Sequence, residues 1–180
     1  PVFNEEKTIR IILDKVLEQR EFNKEIIVID DCSTDKTKFL IENKYADKVR
    51  LISNSQNYGK GYCIRKGVDI ANGDITLIQD ADLEYDPSDY KKILKPLLTE
   101  RADVVYGSRF LGDGEKRVLY FWHRVGNFIL TLLSNSLSNL NLTDMEVGYK
   151  AFKTKILKEI ELNENRFGFE PEITAKIAKR

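Results

Sequence analysis

The stretch IQDADLEYDP places four carboxylates, Asp80, Asp82, Glu84 and Asp86, within seven residues, directly after an apolar run, DITLI, that reads as a strand. Clustered like charges repel, so a cation, water or nearby basic groups must compensate them. Asp80 and Asp82 alternate at the strand end, and Glu84 extends the cluster. Such a D-x-D pair suits a hard divalent cation. Mg²⁺ or Mn²⁺ takes one or two carboxylates and leaves its remaining positions to phosphate and water. A cation with room for phosphate points to a nucleoside diphosphate ligand. The competing reading is that acids of this kind cap the helices that follow them. That reading suits Asp35 and Ser88 better than Asp82.

Two other apolar runs end in polar residues. EIIVID finishes on Asp30-Asp31, and DVVY runs into Gly107-Ser108-Arg109. In open α/β sheets ligands bind beyond the carboxyl ends of the strands. The three ends together therefore predict one site. The loop NYGKG sets Lys60 between Gly59 and Gly61. The glycines let a backbone come close, and the ammonium offers a charge to phosphate.

The elements that position these residues follow from periodicity. Asn4 is a candidate N-cap, and Ile9, Ile12, Leu13, Val16 and Leu17 recur at helical spacing, so a helix is predicted over 5–19. Strands are predicted at 25–30, 49–53, 75–79 and 103–108, with helices near 36–44, 62–71 and 88–98 between them. This alternation, with short, nearly all-apolar strands, predicts an α/β fold: a parallel sheet with helices on both faces. Past Arg109 the regularity weakens. LGDGEKR (111–117) is loop-like, VGYKAF (147–152) suggests a late strand, and 154–160 a short helix.

Bulk properties narrow the function. The chain has 180 residues, enough for one domain, and its 29 Lys and Arg balance 29 Asp and Glu. No global basic field argues for nucleic acid. Cys32 and Cys63 lack CxxC spacing, which argues against a disulfide framework or zinc site and for a reducing compartment. Residues 125–143 carry no charge and match a bilayer span in length, but four Asn and three Ser among them predict a core or interfacial helix instead. The neighbouring Tyr120, Phe121 and Trp122, beside Arg117 and Arg124, suit a membrane interface. His123, the only histidine, has no second His nearby and reads as a surface or structural residue rather than a ligand. The opening PVFNEE and the closing ITAKIAKR read as the edges of a single-domain fragment over 1–180, with a preceding strand and a C-terminal portion absent.

Six segments in order, PVFNEE, IIVIDDCSTDKT, NYGKGYCIRKG, QDADLEYDP, VVYGSRF and LTDMEVGYKAF, resemble the family 2 glycosyltransferases, above all the polyprenyl- and dolichyl-phosphate sugar synthases. The resemblance spans nearly the whole chain. It implies a GT-A fold, a Rossmann-like, doubly wound, mostly parallel sheet that binds a nucleotide sugar and a divalent metal. It implies that Pro1, Phe3 and Glu5 lie at the nucleotide, with Phe3 where Tyr is frequent. Asp31 matches the residue that reads the base edge, Asp80 and Ala81 match positions beside ribose and phosphate, and Lys60 falls in the donor site. Asp82 matches the main metal ligand, Glu84 stands where mannosyl enzymes often carry Gln as a second ligand, and Asp80 is counted with them as a metal ligand. Arg109 matches a basic residue facing the phosphates or acceptor, and Asp144 and Glu146 an acidic pair beneath the reacting sugar.

The reaction so implied is inverting transfer of a hexose, from UDP-glucose or GDP-mannose, to a polyprenyl or dolichyl phosphate, with Mg²⁺ or Mn²⁺ as cofactor. The place implied is the cytoplasmic face of a membrane, with a possible anchor in a longer chain. The alternative is a family 2 transferase acting on a sugar hydroxyl in cell-surface polysaccharide synthesis. A phosphate monoester is largely dianionic at neutral pH, its second pKa being about 6. It needs no strong base, whereas a hydroxyl does. Asp144 is therefore expected to position a substrate rather than remove a proton.

Overall fold

The computed structural model describes residues 1–110 and 120–180. The expected loop at 111–117, and Arg117 with it, lie outside the described residues.

In chain order the elements are α1 (Ile9–Glu18), β1 (Ile27–Asp30), α2 (Thr37–Tyr45), β2 (Arg50–Ser53), α3 (Lys60–Ile70) and β3 (Ile75–Ile78). A short 3₁₀ turn at Pro87–Asp89 then leads into α4 (Tyr90–Leu98) and β4 (Val104–Tyr106). Last come α5 (Phe121–Ser138), β5 (Lys150–Lys153), α6 (Thr154–Lys158) and α7 (Phe169–Ala178). The alternation read from the sequence is present.

β1 and β2 pair in parallel, and Val2 bridges Asp30 in the same sense. Val2 N donates to Ile29 O at 2.9 Å, and Asp31 N to Val2 O at 2.9 Å. A second sheet has the order β3-β5-β4, with β5 antiparallel to both neighbours. β3 and β4 therefore run the same way, and all of β1–β4 deliver their carboxyl ends to loops that carry polar residues. An apolar cavity of about 390 Å³, lined by Ile27 and Ile29 of β1 and by Ile75 and Leu77 of β3, lies between the two sheets.

Two buried clusters hold these layers. One joins Ile9, Ile12, Leu13 and Val16 of α1 to Val28, Ile41, Tyr45, Ile93 and Leu97. The other joins Ile64 and Val68 of α3 to Phe152, Leu157, Phe169 and Ile173. Cys32 and Cys63 are both free thiols, and burial pushes Cys63 up to about 12.

Two expectations are corrected. The first helix begins at Ile9, not residue 5, and Asn4 does not cap it. Asn4 is left-handed (φ 55°), and its Oδ1 accepts from Thr34 N at 2.8 Å. Glu5 N donates to Thr37 Oγ1 at 2.7 Å, and Glu6 N to Asp35 Oδ2 at 3.0 Å. Residues 4–6 are thus tied to the loop after β1, and that contact displaces the helix start.

The second concerns α5, which is helical as expected; of the core and interfacial placements expected for it, the core one does not hold. It is amphipathic in reverse. Asn127 and Thr131 are buried, while Phe121, Trp122, Phe128, Leu132 and Leu137 are exposed. The inward polar row at i, i+4, i+8 continues with Asn135, which exchanges bonds with Leu142 N and O at 3.0 and 2.7 Å. A left-handed Asn139 ends the helix. Among the described residues, no helix is long and apolar enough to cross a membrane.

Phe152 is the middle of the second sheet, fully buried and facing Thr76 on β3 and Val104 on β4. Phe152→Ala is expected to cost about 3–5 kcal/mol. Urea unfolding should show a lower midpoint at an unchanged slope.

Candidate active site

Three of the crowded carboxylates after β3 have separate partners. Asp80 Oδ2 accepts from Lys60 Nζ at 2.9 Å. Asp86 pairs with Lys15 at 2.5 Å and caps Ser88 N at 2.9 Å. Asp82 Oδ1 accepts from Glu84 N at 2.9 Å across a turn that holds Leu83 left-handed at φ 64°. A branched side chain in that region is unusual, and such strain concentrates at functional sites.

A cavity of about 440 Å³ opens here. Pro1, Phe3, Glu5, Asp31, Lys60, Asp80, Ala81 and Asp82 all line it. The ends of β1 and β3 therefore meet in one space, two of the three strand ends expected to share a site; the end of β4 does not line it. Asp31 is buried, and its carboxylate holds the glycine turn. Oδ1 accepts from Tyr58 N at 2.9 Å and from Asn54 Nδ2 at 2.8 Å, while Oδ2 accepts from Gly59 N at 2.7 Å. Burial pushes its pKa up, but those donors outweigh burial and leave it below the usual range.

Lys60 is clamped. Its ammonium lies 2.9 Å from Asp80 and 3.1 Å from Glu170. Burial pulls its pKa down, the two carboxylates pull harder, and the net shift is upward. Gly148 packs directly behind Asp80. A Cβ there would come within 2.1 Å of Asp80 Oδ2, and its N–H donates to Tyr85 Oη at 2.8 Å.

The fit of a divalent cation rests on this donor set. Among the described residues, no three His, Cys, Asp or Glu side chains are grouped to hold a metal. Glu84 is not among the residues lining the cavity, so the three acids expected as ligands do not converge. Asp80 and Asp82 do share the cavity wall. A cation that takes one or two carboxylates and completes its shell with phosphate and water needs no third acid. Asp80 and Asp82 fit that mode.

The third strand end builds a separate ion-pair centre. Asp144 is buried and receives four donors. Arg109 N and Nε reach Oδ2 at 3.1 and 2.8 Å, and Arg109 Nη2 and Asn127 Nδ2 reach Oδ1 at 2.8 and 2.9 Å. Four donors on two oxygens fill the carboxylate's acceptor capacity. Burial pushes its pKa up, but Arg109 and Asn127 outweigh that and hold it low. Glu146 behaves in the opposite way. It is half-buried, and burial and then Glu170 raise its pKa. Nearby Lys150 is buried, donates to Val147 O and lies over the Tyr106 ring, and burial lowers it to about 8. The acidic pair expected at 144 and 146 is thus two groups in different environments, and neither they nor Arg109 line the cavity.

Several participants escape a reading of motifs. Glu170, on α7, is distant in sequence from the Lys60 it clamps. Arg166 and Phe167 line the cavity from the loop before α7. The only sequence signal there is RFGFE, a polar and glycine-broken run ahead of a helix.

Comparison with known proteins agrees with the geometry. The family model described as "Glycosyl transferase family 2" matches residues 1–161. The chain is 33% identical over 181 residues to the glycosyltransferase AglJ of Haloferax volcanii, covering 100% of this chain and 57% of that protein. It is 29% identical over 175 residues to the UDP-N-acetylglucosamine–dolichyl-phosphate N-acetylglucosaminyltransferase of Methanococcus voltae, covering 88% of this chain and 69% of that one. Among solved structures, glucosyl-3-phosphoglycerate synthase from Mycobacterium tuberculosis superposes with a TM-score of 0.74 at 23% identity, over 99% of this chain and 65% of that one. The same enzyme in complex with Mn²⁺ and UDP-glucose gives 0.73 at 24%, over 95% of this chain and 60% of that one. These structures support the GT-A arrangement. The chain spans between 57% and 69% of the lengths of these relatives.

Asp144 also sets a pH dependence. Its folded pKa lies below the unfolded value of about 3.9, so its contribution to stability is complete above that value and is lost as pH falls through the folded pKa. Asp144→Asn should cost about 3 kcal/mol at neutral pH, because Arg109 loses its buried partner. In urea titrations the gap between the variant and the parent should narrow on acidification below about pH 4.

Proposed function

The chain belongs to glycosyltransferase family 2, and on that premise we propose that it moves a hexose from a nucleoside diphosphate sugar to a polyprenyl or dolichyl phosphate at a membrane surface. The observation that carries this reading is the shared cavity of Asp31, Asp80 and Asp82. Named relatives that act on dolichyl phosphate support the acceptor class, and a neighbour crystallised with Mn²⁺ and UDP-glucose supports the donor class. Asp80 and Asp82 would hold Mg²⁺ or Mn²⁺, which when bound neutralises charge building on the leaving diphosphate.

The protein's own residues do the rest. Lys60, fixed by Asp80 and Glu170, keeps one positive charge in the cavity wall. Arg109, oriented by Asp144 and still partly exposed, offers a preorganised guanidinium to the acceptor phosphate. Asp144 is a positioning residue, since its filled lone pairs leave no place for a proton in transit. That suits a dianionic phosphate nucleophile, which attacks without a base. The outward apolar face of α5, with Phe121 and Trp122 at its start, suits peripheral contact with a bilayer at its cytoplasmic face.

One observation favours the other acceptor. Glu146, with its raised pKa, has the character of a general base, which a sugar hydroxyl would require. Labelled UDP-glucose, UDP-N-acetylglucosamine and GDP-mannose, each with polyprenyl phosphate or soluble oligosaccharide and with Mn²⁺ or Mg²⁺, separate the two. Label is expected in the lipid phase, with Glu146→Gln retaining most of the rate. Asp82→Asn should lower kcat/KM by about 100-fold, the equivalent of about 3 kcal/mol. Label confined to the soluble acceptor, abolished by Glu146→Gln, overturns the lipid reading.

A further inference from the structure

The charges lining the cavity do not yet account for a diphosphate. Its acids are Glu5, Asp31, Asp80 and Asp82, and its cations are Lys60 and Arg166. Lys60 is already shared between two carboxylates at 2.9 and 3.1 Å. The ammonium that the sequence offers to phosphate is therefore largely spent within the protein. Arg166 differs. It is exposed at the cavity rim and has no ion pair or side-chain hydrogen bond among the described residues.

The loop that carries Arg166 is seated firmly. Asn163 N and Glu164 N donate to the Glu172 carboxylate at 2.8 and 2.9 Å. Tyr62 N donates to Asn165 O at 3.0 Å, and Arg65 Nη1 to Glu164 O at 2.7 Å. The glycine turn is shaped for this loop. A Cβ on Gly59 would meet Asn165 O at 2.5 Å, and one on Gly61 would meet Glu164 O at 2.3 Å. Gly59 also sits at φ 103°. The close backbone approach that the two glycines permit is thus used by the 163–168 loop. Its result is to hold Arg166, with the 80% exposed Phe167 beside it, against the donor cavity.

We propose that Arg166 binds the diphosphate of the nucleotide donor. Its planar fork of N–H donors matches two non-bridging phosphate oxygens, and the guanidinium has no polar partner among the described residues to give up when it turns to them. The assignment rests on the nucleotide-sugar reading above.

Calorimetric titration with UDP, UMP and uridine, and with GDP, GMP and guanosine, tests it in the presence and absence of Mn²⁺. The parent protein should bind one diphosphate series. Arg166→Gln should weaken the diphosphate by roughly 10- to 100-fold, as for loss of a charge-assisted bond, and leave the nucleoside unchanged. Arg166→Lys should recover part of the loss, because it restores charge without the fork. Both variants should stay close to the parent's thermal midpoint, since the guanidinium has no polar partner among the described residues and both replacements keep the Cγ that packs on Gly59. If the parent binds but Arg166→Gln holds the diphosphate equally well, the Arg166 assignment is wrong and the donor reading stands. Equal weakening of nucleoside and diphosphate also overturns it, by assigning the effect to the loop. If the parent binds neither UDP nor GDP, the donor reading itself falls.

Discussion

The ammonium of Lys60, lodged between Asp80 and Glu170, is the interaction on which the site depends. It joins the start of α3, the end of β3 and the start of α7, segments that lie 20 and 110 residues apart in sequence. Each carboxylate is poorly solvated, and Glu170 keeps one oxygen with no hydrogen-bond partner among the described residues. Without the shared cation the two carboxylates would face each other with their mutual repulsion uncompensated by it. A buried ion group of this kind is weak evidence for stability, because desolvation offsets much of the attraction. Its effect is on geometry. It fixes where Asp80 sits relative to Asp82, and so fixes the spacing of the pair that would meet a cation.

Asp144 solves a related problem in a different way. Its charge is balanced by Arg109 and by the inward amide of Asn127. That requirement explains the reversed α5. A helix that must bring Asn127, Thr131 and Asn135 to polar partners inside has to turn Phe128, Leu132 and Leu137 outward. The apolar surface is thus tied to the electrostatics of the third strand end. It gives the same helix a polar inner face and an exposed apolar outer one.

Much of this was legible in the sequence for a simple reason. Strand ends are local, and in an α/β alternation they share one edge of the molecule, so Asp31, Asp80 and Asp82 could be placed together without any knowledge of packing. The resemblance added Pro1, Phe3 and Glu5, which also line the cavity. What was not legible depends on contacts between distant segments. The start of α1 moved because residues 4–6 bond the loop after β1, and no propensity encodes that. The direction of α5 could not be read because 125–143 is apolar with scattered Asn and Ser, and only the position of Asp144 shows which row faces inward. Glu84 belongs to the same acidic run as Asp82 but lies outside the cavity, since the turn at Leu83 separates them.

The glycine turn shows most plainly where such reading ends. A glycine flanking a lysine says that something approaches the backbone closely, but not what approaches. A phosphate and a second loop make the same demand on Cβ space. At Gly59 and Gly61 the space is filled by the carbonyls of Asn165 and Glu164, and Lys60 is engaged by two acids. The chemistry expected of the turn is thereby passed to the loop it seats. A cavity with four acids against one shared ammonium and one rim guanidinium is net negative, which favours a ligand whose negative charge arrives with a divalent cation over a bare anion. On the proposed reading, that charge balance is the physical reason a D-x-D strand end would take its diphosphate together with a metal.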